Sequence, residues 1–204
     1  MNFAVVFQTY QLTLNKIKYA DGLPSLFLRL YLAPVFMQAG WNKLQNFEDT
    51  VSWFGNHEWG LGLPFPEFMV SLAAGTEFIG GWLLLFGLFT RLISIPLMVT
   101  MLVAAVTVHI ENGWLAIADS SSWLADGTIL YNESIMASAE KKQMALQILQ
   151  EYGNYDWLTS SGSVTILNNG IEFAITYFIM CLVLLFSGGG RFVSADYYLA
   201  KRFR

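Results

Sequence analysis

Charge is scarce in this chain, and so are cysteine and histidine. Charged residues make up 13% of the sequence and hydrophobic residues 55%, where a typical soluble domain carries about 25% charge. That balance describes a protein whose solvent is lipid. The lone cysteine, Cys181, leaves no dithiol–disulfide relay within the chain. Of the two histidines, only His109 falls in an apolar segment, whereas a haem held between helices wants two ligands at matched depth. Haem is therefore disfavoured. His109 and Glu111 fall short of the three or four ligands that a metal site usually gathers, so no metal is expected. The net charge is −4, and nothing in it points to nucleic acid as a partner. The amino terminus also lacks the basic start and apolar core of a cleavable signal peptide.

What the chain does have is apolar length. Four runs, at about residues 25–44, 67–89, 91–110 and 164–187, are long enough to cross a bilayer. They predict an all-α protein with a single integral membrane domain over residues 1–204: a four-helix transmembrane bundle. Lys16, Lys18, Arg29, Arg91, Arg191, Lys201, Arg202 and Arg204 would share one side, leaving Lys43, Lys141 and Lys142 for the other. Because basic residues are retained in the cytoplasm during insertion, both termini are expected there. Upstream, Phe3, Phe7, Tyr10, Leu14 and Ile17 recur at helical spacing and predict an amphipathic helix over about residues 3–18. It would lie on the membrane surface or dock a soluble partner.

The second run contains one ionisable residue, Glu77. A charge at that depth costs roughly 2.5–3.5 kcal/mol on insertion scales, so it calls for a partner or a task. Helix one carries an interior proline, Pro34, followed by Gln38, Trp41, Asn42 and Lys43. Lys43 could snorkel to the interface or face inward. Helix two carries Gly75, Gly80, Gly81 and Gly87, which permit close backbone approach, and Trp82. Arg91 follows it as a structural, dipole-complementing residue. His109 ends helix three, and Glu172 stands near the start of helix four. Antiparallel threading brings Gln38, Asn42, Lys43, His109 and Glu172 to the outer half, with Glu77 below them.

Residues 111–163 are too long for a simple turn. Trp114, Trp123, Tyr131, Tyr155 and Trp157 suit an interface, and Ala145, Leu149 and Tyr152 repeat at helical spacing within 138–152. An exoplasmic cap containing a short helix is expected, with disorder as the alternative.

Leu28-Arg29-Leu30 with Ala39-Gly40-Trp41-Asn42-Lys43-Leu44, then Glu77-Phe78-Ile79-Gly80-Gly81 and Phe86-Gly87-Leu88-Phe89-Thr90-Arg91 form an ordered set. Glu172, Ser187-Gly188-Gly189-Gly190-Arg191-Phe192, Ser194 and Asp196 continue it. This set resembles the DoxX family of small four-helix membrane proteins, and the long loop looks most like its HvfX-type branch. The resemblance implies a bacterial inner membrane location and structural roles for Arg29, Arg91, Arg191 and Asp196. It also implies an oxidoreductase-type system, since a related subunit, DoxD, belongs to a thiosulfate:quinone oxidoreductase. Members of the HvfX-type branch are associated with clusters that make modified peptides.

On that basis the outer polar cluster is expected to bind a quinone or small redox-active substrate. Glu77 and Glu172 would exchange protons, Gln38, Asn42, Lys43 and His109 would contact the substrate, and Trp41 or Trp82 would pack on its ring. Burial and a neighbouring Lys43 act in opposite directions on the protonation of Glu77. The structural alternative is a network of Glu77, Glu172 and Lys43 that fixes helix register. A second class is a noncatalytic anchor that docks a soluble enzyme or peptide through the loop. A proton-coupled transporter is a third. Membrane lipid, a soluble or membrane redox partner and a second copy of the chain are the candidate partners.

Overall fold

The computed structural model describes residues 3–17 and 20–203, which fall into two compact units: Met1–Met101 with Tyr177–Arg204, and Leu102–Thr176. Lys18 and Arg204, counted above among the basic residues, lie outside the described residues, and the side chains of Lys16 and Ile17 are likewise not described. All regular elements among the described residues are helical.

In the first unit, α1 (Phe3–Ile17) forms where the apolar stripe predicts it. Phe3, Phe7 and Tyr10 lie on one face with ring centroids 6.4 and 6.3 Å apart, and all three remain exposed. Next come α2 (Gly22–Gln45) and α3 (Phe47–Gly55), a short helix within what the sequence reads as a loop. Acids at Glu48 and Asp49 complement its first turn. α4 (Pro66–Phe86) starts with proline at its first position, where no amide partner is needed. It ends at Gly87, whose φ of 64° suits glycine. There Gly87 donates to Leu84 O at 3.0 Å and Leu88 donates to Leu83 O at 2.9 Å, a paired closure of the last turn. α5 (Thr90–Ala104) follows at once.

The inward stripe of α2 is Ser25, Arg29, Leu32, Ala33, Phe36 and Gly40, and that of α4 is Val70, Ala74, Glu77, Gly80, Gly81 and Leu84. Both recur at three- and four-residue steps, the spacing of one helix face. The two helices run antiparallel at very close range. A Cβ on Gly40 would lie 2.5 Å from Phe78 N, and one on Gly81 would lie 2.8 Å from Met37 N. Gly80 meets Leu97 and Ile93 of α5, while Gly75 faces open space, so three of the four expected glycines serve packing or capping. Leu32, Ala33, Phe36, Leu84, Leu97, Met101, Cys181 and Leu184 form one apolar core. Its members come from α2, α4, α5 and α9 (Glu172–Ser187).

Among the described residues, two helical stretches are long and apolar enough to cross a membrane. Pro66–Phe86 has 21 residues and a mean hydropathy of 1.5 over an 18-residue window; Thr90–Asn112 has 23 residues and 2.1 over such a window. The second continues from α5 through a π-helical segment, Ala105–His109, and a 3-10 turn, Ile110–Asn112. Glu172–Ser187 is apolar but shorter, with 16 residues.

The second unit is a folded insertion. It carries α6 (Glu133–Met136), α7 (Ser138–Tyr152) and α8 (Tyr155–Thr159). Leu115, Ala125 and Ile135 make a small core of their own. α7 spans the stretch expected to be helical, but Ala145 and Tyr152 are exposed, and Leu149 is half-buried. The fourth apolar run also starts its helix later than its hydropathy suggests, at Glu172 instead of about residue 164. The reason is local pairing: Asn168 N and Asn169 N donate to Ala116 O, Gly170 N to Leu115 O and Ile171 N to Gly113 O. These amides are spent across the strand-like contact and cannot join a helical ladder.

Candidate functional site

Gly40 sets the site. With no side chain between them, α2 and α4 come close enough that Lys43, one turn beyond Gly40, stands opposite Glu77, one turn beyond Ala74. The Lys43 Nζ donates to Glu77 Oε2 at 2.6 Å. The Glu77 side chain is 3% exposed and the Lys43 side chain 27%. This is the one salt bridge among the described residues. A charge-assisted bond of that length answers the cost of placing a carboxylate in apolar surroundings.

Lys43 has a second neighbour. It lines an open groove of about 470 Å³ with Ala39, Asn42, Asn46, Asp49, Thr50, Trp53 and Phe54. The lysine thus stands between that groove and the buried carboxylate. α3 supplies the far wall of the groove, and the sequence reading missed it. Its signal was Phe47, Val51 and Phe54 at helical steps behind two acids.

The other expected site residues divide. Asn42 lines the groove, although its carbonyl is occupied by Asn46 N and Asn46 Nδ2. Gln38 is exposed, and five residues from Lys43 it points roughly 140° away around α2. It does not join the pair. Trp41 is 48% exposed with its ring centroid 5.7 Å from that of Phe78, and Trp82 is 41% exposed and stacks on Phe86 at 6.0 Å. Neither tryptophan borders the groove. In the second unit, His109 Nδ1 is 2.9 Å from Asn169 O, and Glu172 Oε2 accepts from Ala116 N at 2.9 Å. Both side chains are engaged with backbone groups of their own unit, which gives each a local structural task. Asn168, which the sequence reading left without a role, donates to Asn112 O at 2.7 Å and Leu115 O at 2.6 Å. Among the described residues no three His, Cys, Asp or Glu side chains are grouped as a metal ion would need.

At the other end of the first unit, Arg29 is fully buried. Its Nη1 donates to Leu84 O at 3.1 Å and Leu85 O at 3.3 Å, and its Nη2 to Val193 O at 2.8 Å. It therefore satisfies carbonyls at the end of α4, where the helix dipole favours a cation. Asp196 accepts from Phe89 N at 2.7 Å and Thr90 N at 2.9 Å, capping the start of α5 from α10 (Ala195–Arg202). Arg91 donates to Phe186 O at 3.1 Å, and the Arg191 guanidinium lies 4.8 Å above the Phe192 ring.

No solved structure matches this chain. Over 95 residues it is 34% identical to a Bacillus subtilis (strain 168) protein named "Putative oxidoreductase CatD". The match covers 47% of this chain and 66% of that protein, so just under two thirds of the relative is spanned. Residues 25–110, which hold Arg29, Lys43, Glu77 and Arg91, match the DoxX family model, and this segment is similar to that membrane-associated family.

Proposed function

We propose that this protein is a membrane subunit of an oxidoreductase-type system that binds a quinone or another small redox-active substrate in the groove beside Lys43. The Lys43–Glu77 bond carries this reading. It links a groove-lining ammonium to a carboxylate shut away from solvent, an arrangement suited to passing a proton when a bound carrier changes redox state. Asn42 and Thr50 supply hydrogen-bonding groups at the groove wall, and Trp53 an aromatic face for a ring. Glu172 and His109 are outside this reduced site.

In this reading α2, α4, the Thr90–Asn112 stretch and α9 are the four spanning helices of a bacterial inner membrane protein with cytoplasmic termini. The shared apolar core of these helices and the DoxX match support that arrangement. The folded insertion of the second unit supports a place in the HvfX-type branch. The test is to purify the protein in mild detergent and extract it for quinone, beside a Glu77→Gln variant. Retained quinone in the wild type, lowered in the variant, supports the proposal. No retained quinone, with unchanged cellular activity in the variant, removes its basis.

A second reading rests on the insertion. Trp123, Tyr131, Trp157 and Leu167 are each more than two-thirds exposed, and Met144, Ile148 and Tyr152 form an open stripe along α7. These surfaces suit a noncatalytic anchor that docks a soluble enzyme or a modified peptide. Replacing residues 114–157 with a short linker would then abolish activity without changing the stability of the first unit.

A further inference from the structure

The first unit has a larger concavity that shares no residue with the groove at Lys43. It lies at the α4–α5 turn, encloses about 690 Å³, and is bordered by Phe89, Arg91, Leu92, the Ser187–Arg191 segment, Ser194 and Tyr197. Arg91 and Arg191 border it from different elements, and both residues are exposed; the Arg191 guanidinium also lies 4.8 Å from the Phe192 ring centroid. Arg91 gives one donor to Phe186 O and keeps the rest; neither arginine forms a salt bridge among the described residues. Two acids also border the space. Asp196 has both oxygens occupied by Phe89 N and Thr90 N, and Asp21 makes no side-chain bond among the described residues. The wall between the arginines is the Gly188-Gly189-Gly190 turn, with φ of 73° at Gly188 and 94° at Gly190. A Cβ on Gly188 would lie 3.0 Å from Arg91 Nε, so the glycine keeps that donor accessible.

An apolar slot adjoins this cationic groove. It holds about 230 Å³ and is lined only by Leu83, Phe89, Leu92, Ile93, Ile95 and Pro96, along α4 and α5. Phe89 and Leu92 border both spaces. A charged cup beside a carbon-lined slot matches the two parts of one amphiphile, its anionic head and its chain.

We infer that these adjoining grooves bind one phosphate-bearing lipid, its phosphate held between Arg91 and Arg191 and an acyl chain lying along Leu83, Leu92 and Pro96. The planar guanidinium fork matches phosphate oxygens in pairs. A free phosphate would use the arginines alone and leave the slot empty. The slot is what favours a lipid.

The test is native mass spectrometry of the full chain, delipidated in mild detergent and then given phosphatidylglycerol or inorganic phosphate. The wild type retains one phosphatidylglycerol. Arg91→Gln with Arg191→Gln loses about tenfold or more in retention, the loss expected when charge-assisted bonds to phosphate are removed. A Lys201→Gln, Arg202→Gln control, outside both grooves, retains lipid as the wild type does. Ile95→Trp, at a residue that lines the slot but not the cationic groove, fills the slot, so it lowers lipid retention while leaving phosphate binding unchanged. Equal lipid retention by the double arginine variant and the control overturns the inference. So does binding of inorganic phosphate with no retained lipid. If the double variant does not fold, Ile95→Trp decides, and lipid retention equal to wild type overturns the inference.

Discussion

The Lys43 ammonium lies 2.6 Å from the Glu77 carboxylate, yet only one partner of the bond can reach solvent. The lysine side chain is 27% exposed and the glutamate 3%. Removing the lysine strands a buried charge, whereas neutralising the glutamate lets the lysine reorient outward along its flexible stem. Lys43→Met is therefore expected to destabilise the protein by about 3–5 kcal/mol. Glu77→Gln, which can still accept a hydrogen bond, is expected to cost about 1–2 kcal/mol. Reversible unfolding in mixed detergent measures both. Equal costs would place the two groups in similar surroundings.

The approach of α2 to α4 makes a sharper steric prediction. A Cβ on Gly40 would meet Phe78 N at 2.5 Å and Ala74 O at 2.8 Å, backbone atoms that cannot swing aside. Gly40→Ala is expected to cost about 1–3 kcal/mol and to lengthen the Lys43–Glu77 bond. Gly75→Ala, where nothing lies within 4 Å, should be neutral or stabilising by up to about 1 kcal/mol through helix propensity. Thermal unfolding of the two variants side by side separates the cases.

Arg29 offers a test of the opposite end. Arg29→Lys keeps the charge but loses the fork that serves Leu84 O, Leu85 O and Val193 O together. A cost of about 2–3 kcal/mol is expected, with faster amide exchange at the end of α4 and in residues 193–196. Exchange confined to α2 would contradict this assignment.

In the insertion, Asn168→Ala removes two donors to Asn112 O and Leu115 O. About 1–3 kcal/mol of local stability should be lost, read as faster amide exchange in residues 113–118. The helical core of Leu32, Leu84, Leu97 and Leu184 should keep its protection.

How much of this was legible in the sequence depends on the range of the interaction. Spacing along the chain revealed α1 and α7, because a helix repeats its apolar residues at intervals of three and four, although the stripes that signalled them are exposed or half-buried. Glu77 announced itself through the absence of any other charge in its run. Spacing could not place Gln38 and Lys43 on different sides of a contact without knowing which face of α2 met α4. That face is chosen by Gly40 and by Arg29, whose partners lie 55 and more positions away. Nor could hydropathy foresee the late start of α9, since the amides of Asn168 to Ile171 are claimed by carbonyls of residues 113–116. Local pattern read the elements, and distant backbone partners decided how the polar residues were used.

The most direct measurement of the central claim is the binding of a short-chain quinone analogue to the protein in nanodiscs, followed by quenching of tryptophan fluorescence. Wild type, Glu77→Gln and Ala39→Phe, which narrows the groove, are compared. The account predicts saturable binding by the wild type, affinity weakened about tenfold by Glu77→Gln, and none detectable for Ala39→Phe. Equal affinity in all three, or no saturable binding by the wild type, would contradict a redox-substrate site at Lys43 and Glu77.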